Sequence, residues 1–146
     1  MTQPKEGISS HKKLMHYSVG AVIMRNNKYL LIDRANPPFG FAGLAGHIDE
    51  DETPEEALIR EVKEESGLDV KRYDLLFEEE LDWNWCSYGV KVHYWYLYKC
   101  EVYGSIKKSE EAKTINWYTQ EQIKKLKLEP VWEYWFKKLG ILNHKT

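Results

Sequence analysis

Three glutamates in the middle of the chain are spaced so that a helix would carry their carboxylates on one face. They are Glu61, Glu64 and Glu65. At about 100° per residue, Glu64 and Glu65 fall roughly 60° and 40° to either side of Glu61. Such carboxylates repel one another, and a hard divalent cation such as Mg²⁺ would offset the repulsion. The spacing favours an acidic metal site, although a solvated acidic face explains the helix alone equally well.

The sequence around these glutamates has clear helix boundaries. Thr53 is a predicted N-cap, Pro54 occupies the first helical position, and Glu56 completes a capping box. Gly67 is well placed to end the helix. Three apolar residues form a separate arc that is predicted to face the core: Leu58, Ile59 and Val62.

The loop and helix together match one motif over residues 46–68, which read GHIDEDETPEEALIREVKEESGL. The segment resembles the Nudix box, G-x5-E-x7-R-E-U-x-E-E-x-G-U, where U is a bulky aliphatic residue. Every specified position is filled, by Gly46, Glu52, Arg60, Glu61, Val62, Glu64, Glu65, Gly67 and Leu68. Many family members have a second glycine where this chain has Ala45, a difference that removes no side-chain ligand. By this resemblance the chain is identified as a member of the Nudix hydrolase family.

The resemblance implies a metal site and a hydrolytic reaction. The implied ligands of Mg²⁺ or Mn²⁺ are Glu61, Glu64, Glu65 and the main-chain carbonyl of Gly46 or Ala45, with Glu110 and Glu111 as further candidates. It further implies that Arg60 steers a glutamate and that Glu52 braces the loop against the helix. The reaction needs a general base, which is left open between Glu61 and a later carboxylate, Glu110 or Glu111. Glu110 and Glu111 are equally well explained as two charges in a polar turn.

The aromatic residues after the box bear on the substrate. The chain has six Trp, ten Tyr and four Phe, and most of those on an alternating strand are expected in the core. Trp83 and Trp85 flank Asn84 in a predicted loop and are candidates for binding a base. Phe39, with Pro37 and Pro38 before it, is a candidate for a pocket wall. His47 and His93 are interpreted as a peripheral loop residue and a packing residue, respectively.

The expected reaction is metal-dependent hydrolysis of a phosphoanhydride bond in a nucleoside diphosphate linked to another group. A nucleoside triphosphate or its oxidised form is the first expectation, a nucleotide sugar such as ADP-ribose the second, and a dinucleoside polyphosphate the third. The alternative is a Nudix-like nucleotide-binding or regulatory module without turnover. An isomerase of similar fold would need a catalytic cysteine, and neither Cys86 nor Cys100 has a recognisable context for one.

The elements that must position these residues are strands and helices interspersed along the chain. This order predicts an α/β (α+β) fold of Nudix type, with a mixed β-sheet sandwiched between α-helices. The predicted elements are a hairpin at residues 17–24 and 29–32, the box helix at 53–68, one or two strands within 70–81, a long strand at 90–102, a strand at 115–118, a helix capped by Thr119 and Gln122, and a helix at 131–139.

Length, charge and composition bear on the number of domains, the type of partner and the cellular location. The 146 residues predict a single Nudix domain over residues 1–146, with residues 1–14 as a flexible segment. The net charge of -2 argues against a nucleic acid polymer as partner, and the resemblance to the Nudix family implies a small nucleotide. The sequence lacks a secretory signal and an apolar run long enough for a bilayer, which predicts a cytoplasmic protein without a membrane role. Cys86 and Cys100 form no C-x-x-C pair, so the sequence gives no support for zinc. A homodimer is left open.

Overall fold

Strands make up most of the regular structure, with one long helix near the middle of the chain. The computed structural model describes residues 3–86 and 88–142. In chain order the elements are β1 (Glu6–Ile8), β2 (Leu14–Arg25), β3 (Lys28–Arg34), β4 (Phe41–Ala42), β5 (Leu44–His47), α1 (Pro54–Ser66), β6 (Asp69–Leu81), β7 (Val92–Tyr103), β8 (Ala112–Tyr118), α2 (Gln120–Ile123) and α3 (Pro130–Lys138). No helix in the described ranges has the length and apolar character needed to cross a bilayer.

The predicted hairpin is formed by β2 and β3. Met24 pairs with Tyr29 and Arg25 with Lys28, which leaves a two-residue turn. The turn residues Asn26 and Asn27 have φ values of 52° and 62°. Two consecutive left-handed residues are typical of the tight hairpin turns that asparagine favours. The polar break in the sequence therefore sets the register of these two strands.

The sheet is mixed, as predicted. β2 lies at its centre, pairing in parallel with β7 and antiparallel with β1, β3 and β5. β6 pairs antiparallel with β7, while β4 and β8 pair antiparallel with β3. β1 lies within residues 1–14, the segment that the sequence predicted to be flexible. The single domain over residues 1–146 stays a prediction.

The helices α1 and α3 cover opposite faces of this sheet. Trp95 of β7 packs edge-on against Trp135 of α3, with ring centroids 5.9 Å apart. Tyr98, three residues further along β7, donates a hydrogen bond of 2.7 Å to Glu55 of α1. Side chains three positions apart on a strand point to opposite faces. The predicted sandwich of a mixed sheet between helices is confirmed.

The caps of α1 are those that the sequence predicted. The side chain of Thr53 accepts from the Glu56 N–H, the Glu56 side chain accepts from the Thr53 N–H, and Gly67 ends the helix at φ 77°. Leu58 and Val62 are buried, but Ile59 is 45% exposed. The prediction that Ile59 faces the core was wrong, because a position about 100° from Leu58 lies at the edge of the buried arc.

Candidate functional site

The acidic helix, the loop before it and the loop after β6 surround one cavity of about 760 Å³. The motif segment contributes Gly46, His47, Asp49, Glu61 and Glu65, with Ala45 beside it. The other walls include Arg34, Pro37, Pro38, Asn84, Trp85, Cys86, Tyr88 and Glu111. The cavity therefore combines buried carboxylates, an arginine and an aromatic wall.

Glu61 and Glu65 lie on the face of α1 that borders the cavity. Glu65 is only 3% exposed, and its Oε1 accepts a 3.4 Å hydrogen bond from the Ala45 N–H. Burial raises the pKa of Glu65 well above its ordinary value, and Glu61 and Glu111 raise it further. Burial also raises the pKa of Glu61. Glu61 and Glu65 thus place two carboxyl groups at the cavity, and carboxylate oxygens are ligands that a hard divalent cation takes.

Gly46 leaves the space that Glu61 fills. A Cβ atom at position 46 would collide with the carboxylate carbon and both carboxylate oxygens of Glu61. The main chain of β5 at Gly46 and the helix carboxylate are thus in direct contact, which any side chain at this position would prevent.

Arg60 ties the helix to the loop. Its Nε and Nη2 donate to Glu52 at 2.6 and 2.8 Å, and Nη2 also donates to the His47 carbonyl at 3.0 Å. Its Nη1 donates to Glu61 at 2.7 Å and to Glu64 at 2.9 Å. These hydrogen bonds lower the pKa of Glu52 and raise that of Arg60. The two-pronged Arg60–Glu52 pair holds both partners in one geometry.

Glu64 differs from its two neighbours. Its side chain is 53% exposed and is bound by Arg60, and it does not line the cavity. Glu61 and Glu65 therefore face the cavity together, while Glu64 lies at the outer edge of the acidic face.

Of the two later glutamates, the structure brings Glu111 to the cavity. Glu111 lines the wall, and its charge contributes to the raised pKa of Glu65. Both glutamates are exposed, but Glu110 lies outside the wall. Adjacent residues in a turn point in different directions, which the sequence alone could not resolve.

The candidate residues for binding the base also differ in whether they line the cavity. Trp85 and Asn84 line the cavity, and the Asn84 side-chain oxygen accepts a 2.8 Å hydrogen bond from Trp95 Nε1. Trp83 instead packs edge-on against Tyr134, with centroids 5.5 Å apart. Phe39 is 56% exposed, with the Lys113 ammonium 5.5 Å from its ring centre. Neither Trp83 nor Phe39 is part of the wall.

Sequence reasoning missed a cluster of nitrogen and sulfur side chains at the cavity. His16, His47, Cys86 and His93 offer ligand atoms that all lie within 4.8 Å of one another. These residues are far apart in sequence, and three of them meet because β2 pairs with both β5 and β7. The cluster depends on which distant strands pair, and no local spacing of residues in the sequence indicates it.

Comparison with known proteins agrees with this geometry. A sequence profile described as NUDIX domain matches residues 14–139. The ADP-ribose pyrophosphatase of Methanocaldococcus jannaschii is 41% identical over 76 residues, which are 49% of this chain and 45% of that protein. The RNA pyrophosphohydrolase of Nitratiruptor sp. is 30% identical over 107 residues, which are 70% of this chain and 69% of that protein. The match thus spans slightly less than half the length of the first relative.

A solved structure supports the fold. The NUDIX domain of Shewanella oneidensis NrtR, crystallised with ADP ribose, is similar with a TM-score of 0.71 at 19% identity, covering 85% of each chain. Since the profile match extends over most of the chain, the protein belongs to the NUDIX domain family. The family membership predicted from residues 46–68 is confirmed.

Proposed function

We propose that this protein hydrolyses a phosphoanhydride bond in a nucleoside diphosphate linked to another group, and that it requires Mg²⁺ or Mn²⁺. The observation that carries the proposal is the pair Glu61 and Glu65 at the cavity, with Glu65 buried and Glu61 directly against Gly46. In the absence of a cation the charged form of this pair is unfavourable, because burial raises the pKa of both carboxyls and Glu61 raises the pKa of Glu65 further.

The proposed ligands are carboxylate and carbonyl oxygens, the donors that Mg²⁺ and Mn²⁺ prefer. Glu61, Glu65 and the carbonyl of Ala45 or Gly46 would form the centre of the site, with Glu111 opposite. Glu64 would join it on leaving Arg60, which now binds its carboxylate. When bound, a divalent cation neutralises phosphate oxygens and favours attack by water at phosphorus.

The residues of the chain have separate proposed roles in this reaction. Attack forms one bond between a water oxygen and phosphorus, breaks the bond between phosphorus and the bridging oxygen, and releases a proton. Glu111 is our proposed acceptor of that proton, with Glu61 as the alternative, since both carboxylates line the cavity. Arg60 and Glu52 act as positioning residues that fix Glu61 against the loop.

The cavity suits a nucleotide with an aromatic base. Trp85 offers a ring for stacking and Asn84 lies beside it, while Arg34 adds a positive charge to the wall. ADP-ribose is our first proposed substrate because the relative of 41% identity is named for that activity. An oxidised nucleoside triphosphate comes second. The formal net charge of -2 argues against a nucleic acid polymer as the substrate.

A substrate panel tests the proposal. ADP-ribose, nucleoside triphosphates with and without an oxidised base, a dinucleoside polyphosphate and a 5′-triphosphorylated RNA are incubated with Mg²⁺, with Mn²⁺ and with excess chelator. Chromatography of the products is expected to show AMP and ribose 5-phosphate from ADP-ribose, and no product after chelation. Binding of ADP-ribose without cleavage of any compound would replace the hydrolase by a nucleotide-binding module.

A further inference from the structure

Three imidazole rings and one thiol converge beside the cavity, and His47, Cys86 and His93 line its wall. His16 lies on β2, His47 ends β5, and His93 is the second residue of β7. Cys86 lies in the connection between β6 and β7. One potential ligand atom from each residue lies within 4.8 Å of all the others.

The register of the sheet creates this convergence. His16 is paired with His93 across the parallel strands β2 and β7. Two residues along β2, Ser18 is paired with His47 of β5 on the other side. The ring centroids are 5.1 Å apart for His16 and His47, 5.5 Å for His47 and His93, and 5.9 Å for His16 and His93. His16, His47 and His93 are therefore positioned by the pairing of their strands. Cys86 lies in the connection that leads into β7.

His93 points to a missing partner in this cluster. His93 is buried, with only 2% of its surface exposed. Neither of its ring nitrogens has a hydrogen-bond partner among the described residues. The main chain of Asn84 lies near the ring and raises its pKa, but burial lowers the pKa by more. Buried polar side chains are almost always satisfied, and a bound ion is one way of satisfying them.

His16 is oriented as a metal ligand would be. Its Nδ1 lies 3.9 Å from the Cys86 sulfur, while its Nε2 lies 3.6 Å from a carboxylate oxygen of Glu6. In protein metal sites the outer nitrogen of a ligating histidine commonly faces a carboxylate, which fixes the ring and its tautomer. Nδ1 of His16 thus faces the centre of the cluster and Nε2 faces outward.

The rings of His47 and His93 are held in the neutral form that binds metals. Burial lowers the pKa of His47 to about 4, and the neighbouring rings of His93 and His16 lower it further. Burial likewise lowers the pKa of His93 to about 4. At neutral pH these nitrogens therefore have lone pairs available for coordination.

We propose that His16, His47, His93 and Cys86 bind one Zn²⁺ ion, at a site separate from the acidic helix. Three imidazoles and a thiolate favour zinc over Mg²⁺, which selects oxygen ligands. Tetrahedral zinc with bonds of 2.0–2.3 Å needs ligand atoms roughly 3.3–3.8 Å apart. The 3.9 Å contact between Cys86 and His16 is already close to that spacing, and small side-chain rotations would bring in the other atoms.

Zinc at this position would have a structural role, because it would link separate segments of the chain. Cys86 belongs to the same connection as Asn84 and Trp85, which line the cavity. The ion would fasten this connection to β2 and β5, so that the wall opposite the acidic helix is held in place. The proposal does not depend on hydrolysis.

Titration of the reduced full-length protein with Co²⁺ tests the proposal, because Co²⁺ reports on its ligands by absorption. We expect one equivalent to produce the intense visible bands of tetrahedral cobalt and a near-ultraviolet band from thiolate to Co²⁺. Zn²⁺ is expected to displace it. A wild-type spectrum without the thiolate band would overturn the assignment, whatever the behaviour of any variant.

Matched variants assign the ligands. Cys86→Ala should abolish the thiolate band, and His93→Gln should weaken Zn²⁺ binding by at least about 100-fold, measured by chelator competition. Cys100→Ala and His11→Gln, outside the cluster, and Glu65→Gln, on the acidic helix, should leave the band and the affinity unchanged. Circular dichroism checks that each variant folds; if His93→Gln does not, Cys86→Ala decides. Unchanged Zn²⁺ affinity in folded Cys86→Ala and His93→Gln would contradict the site.

Discussion

The Glu61 carboxylate occupies the space in which a side chain at position 46 would begin. Glu61 is held there by Arg60, which also binds Glu52 and the His47 carbonyl. Loop and helix are therefore fixed against each other by one ion-pair network and one close approach. The proposed catalytic geometry depends on both.

The first prediction concerns Gly46→Ala. The added methyl group would push Glu61 away from the loop, and displacements of about 1 Å in an active site commonly cost about 100-fold in rate. We expect kcat/KM for the preferred nucleotide to fall by about that factor, with Mg²⁺ affinity weakened in calorimetry. Gly140→Ala is the control: it substitutes a glycine that has open space around it and φ 80°. It should cost some stability but no activity. Full activity of folded Gly46→Ala would refute the steric argument.

The second prediction is a pH-dependent stability of the metal-free protein. Burial and the charges of Glu61 and Glu111 raise the pKa of Glu65 well above 4.5. A carboxyl whose pKa is raised by folding contributes stability below its unfolded pKa, and this is lost as pH rises through the folded pKa. Glu65→Gln should therefore be more stable than wild type by about 1–2 kcal/mol at pH near 7.5 and equally stable at pH near 4.

Urea unfolding in the presence of chelator at these two pH values measures the difference. The matched control is Glu110→Gln, since Glu110 is exposed, and it should follow the wild type at both. A constant difference between Glu65→Gln and wild type across the pH range would show that the carboxylate is not destabilised by its surroundings.

A third prediction separates two adjacent glutamates. Glu111 lines the cavity and influences Glu65, while Glu110 lies outside the wall. If Glu111 accepts the proton from water, Glu111→Gln should lower kcat by about 10²–10⁴-fold without weakening nucleotide binding. Glu110→Gln should retain wild-type kcat. Equal effects of the two changes would remove Glu111 from the mechanism and leave Glu61 as the proposed base.

The fourth prediction uses the two tryptophans that flank Asn84. Trp85 lines the cavity, whereas Trp83 packs against Tyr134. Loss of a stacked base costs about 1–3 kcal/mol, so Trp85→Ala should raise the Kd of the nucleotide at least fivefold. Trp83→Ala should leave the Kd unchanged. Fluorescence titration with a non-hydrolysed nucleotide distinguishes them, and the reverse order would place the base on the other side of the connection.

Local signals in the sequence predicted much of this fold. The Thr53 capping box and Gly67 defined α1, and the asparagines at 26 and 27 defined the hairpin turn. Both are determined by neighbouring residues. The motif spacing likewise predicted that Glu61 and Glu65 share one face, and both line the cavity.

What the sequence could not predict depends on contacts between distant segments. The meeting of His16 with His93 requires the parallel pairing of β2 and β7, which no local pattern reveals. The orientation of Trp83 away from the cavity follows from its packing on α3 through Tyr134. The helical spacing allowed Arg60 to pair with Glu64, but it did not show that this pair leaves Glu64 outside the cavity wall.

The central claim is that the buried carboxylates at the cavity make the protein a metal-dependent hydrolase. Its most direct test is the initial rate of ADP-ribose cleavage at saturating Mg²⁺ by wild type, Glu65→Gln and Glu110→Gln, with nucleotide binding measured on the same samples. We predict that Glu65→Gln binds ADP-ribose but cleaves it at least about 100-fold more slowly, and that Glu110→Gln matches the wild type. Wild-type cleavage that persists in Glu65→Gln, or that survives complete removal of divalent cations, would contradict the account.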